Sequence, residues 1–167
     1  MILVGSWGLL ASVAGCRGAP VTVHLVRHAE KQAPEPGAEP ARDPSLSEKG
    51  RRRAEMLVPA LAGVTLGAVF ATQWKRTQET VAPVAAARGL TVETVDADDI
   101  DGLVARIRAH AGGAVLVAGH SNTVPAIATA LGLAEKLALD ESDYGDLFLL
   151  KSSGSSATLE RRRFEAS

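Results

Sequence analysis

Short apolar, β-rich runs recur along this chain with helical stretches between them, and that alternation restricts the fold more than any other feature. "VTVHLV" (Val21–Val26) is followed by Val64–Thr72, Leu90–Val95 and "AVLVAGH" (Ala114–His120), the last bounded by glycines as a strand covered on both faces would be. Ser47 reads as an N-cap with Glu48 in the first turn, opening a helix to about Leu61 with Ala54, Leu57, Val58 and Leu61 on one side. A second helix runs from about Lys75 to Arg88 and ends at Gly89, a C-cap; Pro83 should bend it or mark its first turns. Helices over about Asp99–His110 and Thr123–Leu131 follow, then two strands, Asp146–Ser153 and Ala157–Phe164, joined through a turn at Gly154. The segment Ala33–Pro44, dense in Pro and Gly, must be a loop. Strand and helix in alternation predict an α/β fold: a three-layer α/β/α sandwich with a mostly parallel central sheet.

The 167 residues, 46% hydrophobic and 22% charged, fit one globular domain with a full core. A formal net charge of −1 argues against a general nucleic-acid binder, which needs a clustered cationic surface. The arginine triplets Arg51–Arg53 and Arg161–Arg163 read as solvated faces or chain ends. Residues Met1–Gly15 carry no Asp, Glu, Lys, Arg or His, and the run is too short to span a bilayer. They suit the apolar region of a secretion signal. "VAGC" (Val13–Cys16) resembles the lipobox of bacterial lipoproteins, which implies cleavage before Cys16, its lipidation, and an exported, membrane-anchored protein of the cell envelope. The alternative is a misassigned start and a cytoplasmic protein. The division expected is a signal over 1–15, a linker over 16–20 and a domain over 21–167.

In doubly wound sheets, sites form at the carboxyl ends of the strands. His28 closes the first strand, Arg76 follows the second by a few residues, and His120 closes Ala114–Gly119. Arg27, His28, Arg76 and His120 should therefore meet at one edge. Two guanidinium groups side by side call for an anion, and phosphate accepts bidentate arginine contacts. The helix opening after His120 would direct free N–H groups, that of Ser121 among them, to the same place. An imidazole against bound phosphate can attack phosphorus, and a second imidazole can stabilise the transferring group. Such a site needs no metal or other cofactor, because the arginines supply the positive field. Those arginines also keep a histidine neutral and nucleophilic. Activity should fall at acid pH as the nucleophile protonates, and a profile flat down to pH 4 would count against a histidine.

Four segments carry a family resemblance: "LVRHAEK", "DPSLSEKGRRRAE", "ATQWKRTQETVAP" and "VLVAGHSNTVPAI". In this order they resemble the histidine phosphatase (phosphoglycerate mutase-like) superfamily. The resemblance implies His28 as the phosphorylated nucleophile, Arg27 and Arg76 as phosphate ligands, and His120 as the residue completing the pocket. Ala29 stands where the family signature commonly has glycine, which slightly restricts the backbone there. No long insertion supplies the acid that larger members use. Glu30, Asp96 and Asp98 are the candidates, the last two within the cluster Asp96, Asp98, Asp99 and Asp101, which also reads as a plain helix N-terminus.

The expected function is hydrolysis of phosphomonoesters through a phosphohistidine, on a phosphorylated small molecule or phosphoprotein. Rivals are a phosphohistidine protein phosphatase, a phosphoglycerate mutase-like enzyme, and a lipid-anchored phosphate-binding module without turnover. A metal site from His24, His28 and His120 is a weaker reading, since two arginines would repel the ion. His110 reads as an exposed helix end. Trp74 reads as a pocket wall or as rim packing.

Overall fold

A computed structural model describes residues 19–165. The proposed signal Met1–Gly15 and the lipidation site Cys16 lie outside the described residues. Ten elements follow one another: β1 (Val21–Arg27), α1 (Glu48–Ala60), β2 (Leu66–Thr72), α2 (Lys75–Arg88), β3 (Val92–Val95), α3 (Ile100–Ala109), β4 (Ala114–Gly119), α4 (Thr123–Ala130), β5 (Asp146–Ser153) and β6 (Ser156–Arg163).

One six-stranded sheet has the order β3-β2-β4-β1-β5-β6. The pairs β2–β3, β2–β4 and β1–β4 are parallel. β5 runs antiparallel to β1 and pairs with β6 through the turn at Gly154. The parallel strands are joined by helical crossovers, which a parallel connection requires.

The two faces of the sheet carry separate apolar clusters. Leu57 and Leu61 at the end of α1, with Val81, Val84 and Ala85 of α2, pack on Val26, Val69, Ala71, Leu116 and Ala118. Leu103, Val104 and Ile107 of α3, with Val124, Ile127 and Ala128 of α4, pack on Val23, Leu25, Phe70, Val115, Val117 and Phe148. Strand residues alternate between the clusters because successive side chains leave opposite faces of a pleated sheet. Helices therefore cover both faces, and the architecture is the three-layer sandwich that the alternation predicts.

Helix ends follow local chemistry. Ser47 Oγ accepts from Gly50 N at 3.1 Å and caps α1. Gly89, at φ 65°, ends α2 in the left-handed conformation that favours glycine. Pro83 lies inside α2, so it neither opens nor ends that helix. Gly50 answers a different demand. A Cβ there would collide with the backbone carbonyl of Glu30, so α1 can approach the segment after β1 closely.

β6 forms an edge of the sheet and carries Glu160, Arg161, Arg162 and Arg163. Arg161 grips the buried Asp146 with two hydrogen bonds, of 2.9 and 2.6 Å. Arg162 pairs with Glu160 at 2.8 Å on the surface. Of the other triplet, Arg53 turns inward and is buried, a departure from the solvated face expected of it. Its guanidinium holds both Glu30 carboxylate oxygens, at 2.9 and 2.7 Å, and the Phe164 carbonyl at 3.2 Å.

Candidate active site

The parallel register of β1 and β4 sets Arg27 beside Gly119. Each strand ends one residue before a histidine, so His28 and His120 emerge together at the carboxyl edge. His28 N donates to the Gly119 carbonyl at 2.9 Å, which extends the ladder one step and fixes the pair. The imidazole centroids are 5.3 Å apart in an edge-to-face arrangement. Both rings are buried, at 5% and 8% exposure, so neither can be charged cheaply.

His28 Nδ1 lies 2.8 Å from the Ala29 carbonyl. A carbonyl can only accept, so Nδ1 carries the proton and Nε2 keeps its lone pair. On His120 it is Nε2 that is tied down, 2.9 Å from Thr72 Oγ1 at the end of β2. Thr72 Oγ1 in turn lies 2.8 Å from Thr77 Oγ1 of α2. Burial, together with Arg27, the opposite imidazole and Arg76, pushes the His28 pKa down to about 3, against the bond to Ala29. Burial, then Arg76 and Arg27, pushes His120 down to about 4.

Arg27 is buried beneath the turn before β5. Its Nη1 donates to the Asp140 carbonyl at 2.9 Å and the Asp143 carbonyl at 3.3 Å. Its guanidinium lies 4.4 Å from the centroid of the Tyr144 ring. Arg76 comes from the first turn of α2. Its guanidinium stands 5.2 Å from the Trp74 ring and 3.8 Å from Asp43, whose carboxylate also accepts from Lys75 N at 3.0 Å. Asp43 therefore anchors the end of the proline-rich segment to the N-terminus of α2. The buried Nε groups of Arg27 and Arg76 have no hydrogen-bond partner among the described residues. Two buried guanidinium donors in this state favour an anion that can take both.

A pocket of about 290 Å³ joins these groups, lined by Arg27, His28, Lys31, Arg76, His120, Ser121, Asn122, Glu141 and Tyr144. The structure thus brings together Arg27, His28, Arg76, His120 and Ser121. Ser121 and Asn122 precede the first turn of α4, whose free N–H groups open toward this end. The pocket can accept a tetrahedral oxyanion with one ring nitrogen free to reach its centre.

The three candidate acids do not line it. The Glu30 carboxylate is held by Arg53 and lies 3.4 Å from Lys49. Burial alone would raise its pKa, but the Arg53 hydrogen bonds and charge outweigh this and hold it below the usual glutamate range. Asp96 accepts from Asp98 N at 2.9 Å in the exposed turn ahead of α3, where Asp99 is the N-cap. That cluster serves the helix start. Ala29 takes its glycine-like place without strain, since no non-glycine among the described residues has positive φ. Its N–H donates to Thr80 Oγ1 at 2.9 Å, and Thr80 Oγ1 donates to the Arg76 carbonyl at 2.6 Å. Trp74 braces Arg76 and is not in the pocket wall. His24 is buried within the sheet, and no cluster of three or more His, Cys, Asp or Glu able to hold a metal occurs among the described residues. His110 is half-buried against Phe70, with ring centroids 6.1 Å apart, and is not the exposed end expected of it.

Glu141 and Tyr144 are pocket residues that the sequence reading missed. The signal was topological. Because β5 pairs antiparallel with β1, Val26 opposite Leu147, whatever precedes β5 must arrive beside Arg27 and His28.

The sequence profile of the histidine phosphatase superfamily (branch 1) matches residues 23–99, which include Arg27, His28 and Arg76. No curated protein matches the sequence. The fold resembles that of the protein histidine phosphatase SixA complexed with tungstate, with TM-score 0.70 and 17% identity over 85% of this chain and 96% of that one. The alpha-ribazole phosphatase from Shigella flexneri aligns with TM-score 0.67 and 16% identity, over 87% and 96%. A phosphoglycerate mutase from Bacillus anthracis str. Sterne aligns with TM-score 0.68 and 14% identity, over 87% and 94%. These structures share the sheet and its helical layers, and the profile match spans the segments that carry the first histidine and both arginines. Over residues 23–99 the sequence matches the histidine phosphatase superfamily (branch 1), and the fold is the one these structures share.

Proposed function

We propose that this chain hydrolyses phosphomonoesters through a phosphohistidine formed on His28. The match of residues 23–99 to the histidine phosphatase superfamily and the likeness to solved phosphatases support a phosphatase; the course of the reaction is our reading. The observation that carries it is the His28 ring, Nδ1–H bound to the Ala29 carbonyl and Nε2 free, set among Arg27, Arg76 and His120.

The phosphoryl group enters with its oxygens toward Arg27, Arg76 and the turn at Ser121. Nε2 attacks phosphorus, an N–P bond forms, and the P–O bond to the leaving group breaks with its electron pair going to oxygen. Water then attacks the phosphohistidine, the N–P bond breaks, and inorganic phosphate leaves with His28 neutral again. The guanidinium groups offset the charge on the equatorial oxygens throughout, in a buried setting that strengthens each contact. No step needs a bound metal to neutralise charge.

Dephosphorylation of a phosphohistidine in a protein is the second reading, favoured by the likeness to SixA across 96% of that chain. We further propose that the chain is exported and anchored through Cys16, which would place cytoplasmic phosphoproteins out of reach. The decisive experiment measures p-nitrophenyl phosphate hydrolysis in chelator by the wild type and His28→Ala. Turnover by the wild type, with an acid-labile phosphoenzyme that His28→Ala lacks, supports the reading. Equal rates for the two proteins would remove His28 from the chemistry. Vanadate binding without turnover would favour a binding module.

A further inference from the structure

An alkyl ester presents a difficulty that the four residues do not resolve. Its leaving oxygen departs as a strong base unless something hands it a proton. His28 is the nucleophile in this reading, and its one N–H is tied to the Ala29 carbonyl. His120 Nε2 is engaged with Thr72. Arg27 and Arg76 do not release protons under ordinary conditions. Tyr144 Oη lies 3.4 Å from Arg27 Nη2, on the side of the arginine.

Among the described residues, Glu141 is the single carboxylate residue in the pocket lining. It rides on a turn built to hold still. Asp140 Oδ1 accepts from Ser142 N at 3.0 Å and from Ser142 Oγ at 2.9 Å, and Asp143 Oδ2 accepts from Asp140 N at 2.9 Å. The carbonyls at both ends, of Asp140 and Asp143, receive the Arg27 guanidinium. The carboxylates on either side of Glu141 are thus engaged in the turn, and the turn is bolted to a phosphate-binding arginine.

We infer that Glu141 is the general acid for the leaving group, a role that rests on His28 being the phosphorylated nucleophile. As the N–P bond forms and the P–O bond breaks, the Glu141 carboxyl passes its proton to the departing ester oxygen. In the second half the carboxylate takes a proton from the water that attacks the phosphohistidine, which regenerates the carboxyl. The acid comes from the turn that precedes the antiparallel strand, not from an insertion.

The test compares kcat/KM for an alkyl monoester, β-glycerophosphate, with that for p-nitrophenyl phosphate, whose phenolate leaves without help. kcat/KM reports the steps through phosphoryl transfer, so it isolates the acid role. Glu141→Gln should lose about 100-fold on the alkyl ester, within the range for general acid catalysis, and under threefold on p-nitrophenyl phosphate. Glu141→Asp should recover part of the loss. Equal losses on the two esters, or an unchanged alkyl ester, would overturn the assignment, as would the same selective loss in Lys31→Met with Glu141 intact. His28→Ala should fail on both substrates; if it does not, the nucleophile is wrong and the fault lies with the earlier reading.

Discussion

His28 and His120 meet edge to face, 5.3 Å between ring centres, because adjacent parallel strands in register end together. Two imidazoles so close, both buried and both near arginines, cannot be charged together. Burial first, and then the arginines, holds their pKa values at about 3 and about 4. In the unliganded protein both rings should stay neutral down to pH 5, and phosphate or vanadate should raise both, since a bound anion reverses the sign of the local field. Imidazole NMR titration with and without vanadate checks this; a ring that titrates near pH 6.5 in the free protein would contradict it.

The same depression makes a prediction about stability. An unfolded histidine titrates near 6.5. Between that value and about 3 or 4 the unfolded chain binds more protons than the folded one. Stability attributable to these rings is full above pH 6.5 and is lost as pH falls through that window, by on the order of a few kcal/mol for the pair. Urea denaturation of His28→Asn should show a shallower loss between pH 6.5 and 4 than the wild type. Identical slopes would mean that the rings are not buried as described.

The acid limb of the pH–rate profile also moves. An ordinary histidine nucleophile would lose activity near pH 6, so a profile flat to pH 4 would argue against it. Burial of His28 shifts its protonation to about 3, so kcat/KM, corrected for ionisation of the substrate phosphate, should hold level to near pH 4. A break near 6 that survives the correction would show that His28 is more solvated than this geometry allows.

Arg76 should act through the anion. Charged hydrogen bonds contribute about 1.5–3 kcal/mol, so Arg76→Ala should weaken vanadate binding about 10- to 100-fold. Asp43→Asn should have a smaller effect, because it leaves the guanidinium but loosens its tether. Calorimetric titration of the two variants separates the cases; equal losses would make Asp43 as important as the arginine it holds.

Gly50→Ala should destabilise the protein even though alanine is the better helix former by about 1 kcal/mol. The added methyl meets the rigid Glu30 carbonyl, and overpacking of this kind costs about 1–3 kcal/mol. Chemical denaturation gives the sign. A stabilised variant would show that α1 does not press on the signature segment.

The order of strands and helices was legible because each element carries its own period and cap. Ser47 and Gly89 act as the caps their types promise. The convergence of Arg27, His28, Arg76 and His120 was legible from a rule about strand ends. What was not legible depends on pairing across the chain. Nothing local to Asp140–Tyr144 says that β5 lies beside β1, so Glu141 and Tyr144 stayed hidden. Glu30 misled for a similar reason: adjacency to His28 in the chain put it near the site, but its partner Arg53 lies on another element and pulls it away.

The charged outer strand has a consequence for the molecule in company. Gly132 and Leu133 cover the outer edge of β6 at Ala157; the backbone beyond would be a template on which a neighbouring copy could add its own strand, were it not for the three guanidinium groups standing along it. A copy approaching in that manner would set like charges against like and disturb the Arg161 grip on Asp146. At this edge the guanidinium groups therefore work against strand addition by a second copy.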